Sequence, residues 1–492
     1  MWLEVVADKE RRLVSATGSG LTVRDILNAL DLSLGPLDRV EPDLYILLSD
    51  DMTITLTRVT QTFETERIVI PFERRTVRSE GIEVGEQRLA QAGRNGEVEV
   101  TYQVTLENGI PVLREELSRQ ILVEPAEEVM VIGVQGELAS VPVSGTIAYI
   151  SGNNAWLIRE ESGLRRNLTG SSDLDGRVFD LSDDGSQLLF TRGVMESEQG
   201  PLNSLWVAET SLIGEGPVSL DQMGVIWAQW SPDGSRIAYS TAERVGGVPG
   251  WKANNDLWLL SIDEGAVDGG SATVNVLPAT ADIPYAWWGR SFEWAPSGDL
   301  LAYAQANEVG TVSLAEQTAV PIASFPEYRT RSSWAWVPEL SWAADGSLLA
   351  FVAHEPDGQG VSEPDSASFA LWAASSDGRF SVRLQEEVGM WAAPRWAPSA
   401  DGPIAFGQAQ SPLNSQDSRY EILLVDRDGS NRRQLYPGEN QLGLIAPDVA
   451  WSPNGNSLLL ADRGNLFVVN AQTGASVQLT SDGQGSHPRW AR

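Results

Sequence analysis

The sequence contains no cysteine and only two histidines, His354 and His487, in 492 residues. Without thiols there are no disulfides, thiolate metal sites or cysteine nucleophiles. Two histidines leave little room for imidazole metal clusters or for several His-dependent catalytic sites. Cations are also scarce: 35 Lys and Arg against 67 Asp and Glu give a net charge of −32. Such a chain is poorly suited to neutralising nucleic-acid phosphates or to docking on anionic lipid. No run reaches 18 apolar residues, so no membrane span is expected. The opening MWLEVVADKERRL is acidic and lacks the apolar stretch of a signal peptide. Trp2 to Val6 nevertheless read as the middle of a strand, so a leader or anchor is expected upstream of Met1. Two nucleotide- and ester-handling motifs are missing as well, with no G-x-S-x-G elbow and no phosphate-binding glycine loop between strand and helix. No cofactor and no metal is expected.

Tryptophan is nearly absent from the first third: only Trp2 precedes residue 150, and the other 17 fall between Trp156 and Trp490. In place of tryptophan, this part alternates β-branched and charged residues, as in TITLTRVTQTFETERIVI (53–70) and GEVEVTYQVTLENG (96–109). Period-two alternation of that kind predicts strands exposed on at least one face. One amphipathic helix is expected, with Thr22 as cap, Asp25 three residues on, and Val23, Ile26, Leu27 and Leu30 as its apolar stripe. The small-residue, proline-containing segment 135–144 reads as a linker.

Glycines carry a resemblance here. Residues 57–134 resemble the five-glycine surface module called G-five. The match runs through Gly85, AGRNGEVEVTYQV with Gly93 and Gly96, ENGIPVLREELS with Gly109, and VMVIGV with Gly133. Gly93, Gly96 and Gly109 are expected in tight turns that need positive φ. Residues 1–56, through LTVRDILNALDLSLGPLDRVEP (21–42), resemble the small domain that precedes this module in resuscitation-promoting-factor-like wall proteins. The resemblance implies an extracytoplasmic, wall-proximal location. It also implies affinity for N-acetylglucosamine-containing polymers and zinc-linked self-association. The zinc role transfers poorly, because no histidine occurs before His354. A thin, rigid stalk is the plainer reading.

The remainder repeats itself. DLSDDGSQLLF (180–190), QWSPDGSRIAY (229–239), EWAPSGDLLAY (293–303), SWAADGSLLAF (341–351), RWAPSADGPIAF (395–406) and AWSPNGNSLLL (450–460) each pair a turn with an apolar strand. A seventh copy is split between PRWAR (488–492) and GTIAYI (145–150). Repeats that cannot bury both faces alone stack until the ring closes. The copies resemble the TolB-type β-propeller, whose blades most often number six. The fold expected is therefore mainly β: a small α/β domain at 1–56, an elongated β stalk at 57–134, and a propeller at 145–492. That propeller has seven four-stranded blades and is closed by pairing of the C-terminal strand with the first blade.

In such a ring the Ser-Pro-Asp-Gly turns and the outer turns share one rim. The opposite rim gathers the long loops at 193–203, 243–255, 354–368 and 408–419, with the Trp-bearing segments 278–291 and 324–338. The repeat tryptophans Trp230, Trp294, Trp342, Trp396, Trp451 and Trp490 are expected in the core. Trp227, Trp287, Trp288, Trp334, Trp336 and Trp391 lie outside that register, joined by Tyr285 and Tyr328 and by Arg290 and Arg331. They either pack between blades or line a site for a sugar face or a peptide. The preferred function is non-catalytic binding or scaffolding at the bacterial envelope, with a wall glycan, a peptide or an envelope protein as partner. One alternative is an enzyme acting on wall glycan or peptide, using Glu293 or Glu339 with raised pKa. Another is a subunit of a larger envelope assembly. His354, placed in a loop, and His487 read as surface and structural. The acidic stretches 171–176 and 426–431 read as turns rather than calcium loops.

Overall fold

A computed structural model describes the chain except for residues 80–84, 124, 134–137, 195–199, 212–215, 263–271, 331, 357–364 and 439–441. The fold is mainly β. It divides into two compact units, residues 1–75 with 91–129, and residues 76–90 with 130–492.

The first unit begins with a four-stranded sheet in the order Glu10–Ser15, Trp2–Ala7, Met52–Thr57, Arg39–Glu41. Helix Val23–Ala29 buries Val23, Ile26 and Leu27 in the core formed with Leu3, Val5, Ile54 and Leu56. Asp25 fixes the helix start by accepting from the Thr22 amide at 2.9 Å and its hydroxyl at 2.8 Å. A second sheet has the order Val59–Ile70, Gly96–Glu107, Ile110–Val123. Its edge strand Ile110–Val123 is exposed along its whole length. Arg58 joins the two sheets, donating to Asp8 and Asp38 at 2.8 Å each, while Asn108 accepts from the Arg58 amide at 3.0 Å. Gly109 takes the expected positive φ, at +80°. Gly93 and Gly96 do not, and the reason for glycine there is space. A Cβ at Gly93 would run into the Phe72 ring, and one at Gly96 would stand 2.6 Å from the Val123 carbonyl.

Within residues 142–491 the second unit carries seven antiparallel sheets among its described residues. Six hold the repeats as meanders that begin with Leu174–Leu181, Val225–Trp230, Ser291–Trp294, Leu340–Trp342, Arg395–Trp396 and Val449–Trp451; five have four strands, and the one beginning with Val225–Trp230 adds a fifth off the meander. The seventh has three strands rather than the expected four. Pro142–Ser151 sits between Asn154–Asn167 and the C-terminal Ser486–Ala491, with Ile147 opposite Trp490. Part of the segment read as linker is thus strand: Pro142 and Val143 pair with Glu161 and Glu160. Five repeat tryptophans are buried, and Trp490 is half-buried with its indole N–H on the Ser144 carbonyl at 2.7 Å.

Hydrogen bonds link the first strand of each sheet to the next. Trp230 N donates to Asp180 Oδ2 at 2.9 Å, Trp294 N to Gln229 Oε1 at 3.1 Å, and Trp342 Nε1 to the Glu293 carbonyl at 3.2 Å. Trp396 N donates to Ser341 Oγ at 2.8 Å, and Trp451 Nε1 to the Arg395 carbonyl at 3.0 Å. Arg489 reaches Asp448 at 3.2 Å on one side and the Phe179 carbonyl at 3.0 Å on the other. The repeat turns form as their chemistry dictates. Gly234 has φ +70°, and Asp233 accepts from Ser231 Oγ at 2.6 Å and Ser235 N at 3.0 Å, which holds its carboxyl down at about 2. Not every outer connection is short, however. The step from Leu257–Ser261 to Thr273–Leu277 spans 262–272, of which 263–271 lie outside the described residues.

Candidate functional site

The off-register aromatics separate into two groups. The first is built on the sheet that begins with Val225–Trp230. Strand Arg236–Arg244 of that sheet folds back into a short extra strand, Trp251–Ala253, pairing Arg244 with Trp251. Beyond it Asn255, fully buried with φ +56°, donates to the Thr280 carbonyl at 3.0 Å and the Ala286 carbonyl at 2.8 Å. This clamp positions a single 3-10 turn, Ala286–Trp288. Tyr285 enters the turn in the left-handed region (φ +52°), an uncommon and costly conformation for an aromatic residue. Gly289 leaves it at φ +94°, where a Cβ would stand 3.1 Å from Ala253 Cβ.

The turn presents Trp287, 41% exposed, and Tyr285, 38% exposed. Trp288 turns back, half-buried, edge-on to Trp251 with centroids 5.8 Å apart. Two cations flank these rings. Lys252 Nζ lies 6.0 Å from the Trp287 centroid, and Arg177 Cζ lies 5.3 Å from that of Trp251. Trp251, Lys252 and Arg177 were not among the expected site residues. Their signal in the sequence was a Trp-Lys pair inside a long loop, in a chain with one other lysine, Lys9. Trp227 and Arg290 lie beneath instead of joining the surface. Trp227 packs on Phe292 at 5.3 Å, and Arg290 donates to Gln305 at 3.0 Å over the Tyr303 ring, burial lowering its guanidinium pKa.

The second group lies at the sheet that begins with Leu340–Trp342. Trp336 is core, 1% exposed, with its indole N–H on the Met390 carbonyl at 3.0 Å and its ring against Phe369 at 4.9 Å. Tyr328 packs edge-on to Phe369 and His354. His354 is neither in a loop nor at the surface. It belongs to strand Leu348–Glu355 and is fully buried, its two ring nitrogens 2.9 Å and 2.7 Å from the Pro326 and Ser366 carbonyls. Trp334 and Trp391 pack on each other at 5.5 Å, both half-buried. Arg331 lies outside the described residues. The bulk of this second group is therefore packing.

A third feature is polar. Asp180, Gln229, Glu293, Ser341, Arg395 and Arg489 hold the same register position in their sheets, one residue before the repeat tryptophan or its counterpart Leu181. Burial pushes the Glu293 carboxyl up to about 7 and that of Asp180 up to about 6, against the opposing pull of Arg395 and Arg489. Glu339, the other expected acid, is exposed and 2.8 Å from Arg395. His487, in the last strand at φ +52°, has its pKa lowered by burial. Two surface hollows, of about 400 Å³ beside Arg383 and Arg432 and about 350 Å³ beside Pro201 and Arg244, include none of the aromatic residues above.

TolB-like proteins are among the solved structures similar to this chain. TolB from Acinetobacter baumannii shares 15% identity at a TM-score of 0.40, with 82% of each chain covered. The tricorn protease shares 9% at a TM-score of 0.44, covering 82% of this chain and 43% of its own. HP0197-G5 shares 21% at a TM-score of 0.15, covering 15% of this chain and 99% of its own. No curated protein matches the chain. Residues 61–135 match the family model of the G5 domain, close to the 57–134 expected from the glycines.

Proposed function

We propose that this chain is a non-catalytic recognition protein of the bacterial envelope. On this reading the seven sheets form one closed seven-bladed propeller, and one rim binds a wall glycan, a peptide or a protein partner. Closure is supported by the pairing of the C-terminal strand with Pro142–Ser151 and by the hydrogen bonds that run from sheet to sheet back to Phe179. The G5 match supports an extracytoplasmic setting. The binding role rests on one observation. Tyr285 and Trp287 are held out to solvent on a strained turn that is clamped from below by the buried Asn255. Aromatic rings that merely filled a seam between sheets would be covered, as Trp336 is. Calorimetric titration with muropeptides and wall glycan fragments tests the reading. Wild type and Trp334→Ala should bind alike and Trp287→Ala should bind more weakly; loss in Trp334→Ala alone would move the site to the second group.

A catalytic reading is favoured by one different observation, the rise of Glu293 to about 7, where a carboxylic acid can donate a proton near neutrality. Turnover of peptidoglycan fragments that disappears in Glu293→Gln would replace the binding reading with this one.

A further inference from the structure

The rim proposal leaves the chemistry of the ligand open, and the cations around the turn narrow it. Lys252 is one of two lysines in a chain of net charge −32. Arginines elsewhere are widely spent on carboxylates, as Arg58 is on Asp8 and Asp38 and Arg395 on Glu339. Even Arg177 has Asp175, at 3.7 Å. Lys252 has no ion pair among the described residues; its contact there is the Trp287 ring at 6.0 Å, the outer limit of a cation–π interaction. Lys252 is half-buried on the extra strand that carries it, and its ammonium lies over the Trp287 ring. Glu243 stands opposite Lys252 in the strand pairing without forming an ion pair with it, so this cation beside exposed aromatics is open to a negative charge from outside.

Resting on the rim reading, we infer that the surface formed by Tyr285 and Trp287 takes a pyranose bearing a single carboxylate, a sugar acid. The ring's C–H face lies on the exposed indole, and the carboxylate pairs with Lys252. Three features favour this class over others. An open aromatic plane suits the flat face of a sugar, whereas an apolar peptide side chain needs a concave pocket to enclose it. One free positive charge matches one carboxylate rather than a phosphate monoester dianion. The overall negative charge repels anions in general, so only a ligand that also stacks gains enough to stay.

The test compares two tetrasaccharides of similar length by calorimetry at low salt. A hyaluronan tetrasaccharide carries glucuronate, and chitotetraose is neutral. Wild type is expected to bind the acidic tetrasaccharide about three- to fivefold more tightly, the range that a solvent-exposed ion pair supplies. Lys252→Gln should bring the acidic tetrasaccharide down to the affinity of chitotetraose, and Trp287→Ala should weaken both. Inorganic phosphate at millimolar concentration should not compete. Equal binding of both sugars, or a preference that survives Lys252→Gln, overturns the sugar-acid inference and leaves the rim reading standing. Competition by phosphate alone overturns it in favour of a bare anion site. Binding of neither tetrasaccharide overturns it together with the glycan form of the rim reading. A thermal melt of each variant separates lost binding from lost folding; Trp287 and Lys252 both reach solvent, so their variants should melt as wild type does.

Discussion

Two kinds of β-structure meet in this one chain, and they are held together by different means. In the sheet of Val59–Ile70, Gly96–Glu107 and Ile110–Val123, two strands are largely exposed on both faces, and cross-strand contacts take the place of a deep core. Arg67 pairs with Glu99 at 3.3 Å and Arg114 with Glu66 at 2.8 Å, and Arg114 also lies 3.6 Å over the Tyr102 ring. In the seven repeat sheets, strands such as Leu348–Glu355 and Ser368–Ser375 are buried almost throughout. The first arrangement stabilises through many small, screened, local terms and the second through apolar burial. The exposed turn at Tyr285 depends on the second, because only a packed body can hold a costly left-handed aromatic residue in place.

Substitutions can test that contrast, beginning with the largest effect. Phe406, fully buried, should lose about 3–5 kcal/mol on conversion to Ala. Leu117→Ala on the exposed edge strand should stay within about 0.5 kcal/mol. Denaturant titrations followed by far-UV circular dichroism check both. Equal losses would show that the edge strand has a core after all. Next in size is Arg58→Met, which removes the partner of Asp8 and Asp38; hydrogen bonds to both carboxylates hold its guanidinium pKa up. It should destabilise the first unit by about 1–3 kcal/mol. Of the 18 tryptophans only Trp2 lies in that unit, so indole fluorescence should hardly register the change that amide exchange at Val59 and Asn108 reveals.

Titration separates the two regions further. Burial raises Glu293 above its ordinary 4.5, so the stability linked to it is full below that value and is lost as pH rises through about 7. Glu293→Gln should therefore gain about 1–2 kcal/mol at pH 8 and nothing at pH 4, as read from thermal midpoints. The smallest expected effect belongs to the exposed ladder. Raising NaCl from 0.05 to 0.5 M should shift amide protection in Gly96–Glu107 by less than about 0.5 kcal/mol.

The sequence was most legible where one residue type answers one local demand. Thr22 and Asp25 predicted the helix start, and Gly234 predicted the turn that follows its proline. The apolar repeats marked the first two strands of six sheets. Legibility failed where the reason for a residue lies in a distant neighbour. Gly93 and Gly96 are small because Phe72 and Val123 crowd them, not because of φ. His354 read as a surface residue because the carbonyls that receive it, at Pro326 and Ser366, lie 28 and 12 residues away. The off-register tryptophans were visible as a set, but their division was not. It depends on the extra strand Trp251–Ala253 and on Met390 reaching Trp336. Lys252 was readable only as a rarity, and its meaning comes from the ring beside it.

The most direct measurement of the central claim is an indole N–H correlation spectrum during titration with muropeptides. Binding at the exposed turn should shift the signals of Trp287, Trp288 and Trp251 and leave those of Trp342 and Trp396 in place. Shifts confined to Trp334 and Trp391, or a spectrum that does not change, would contradict the account.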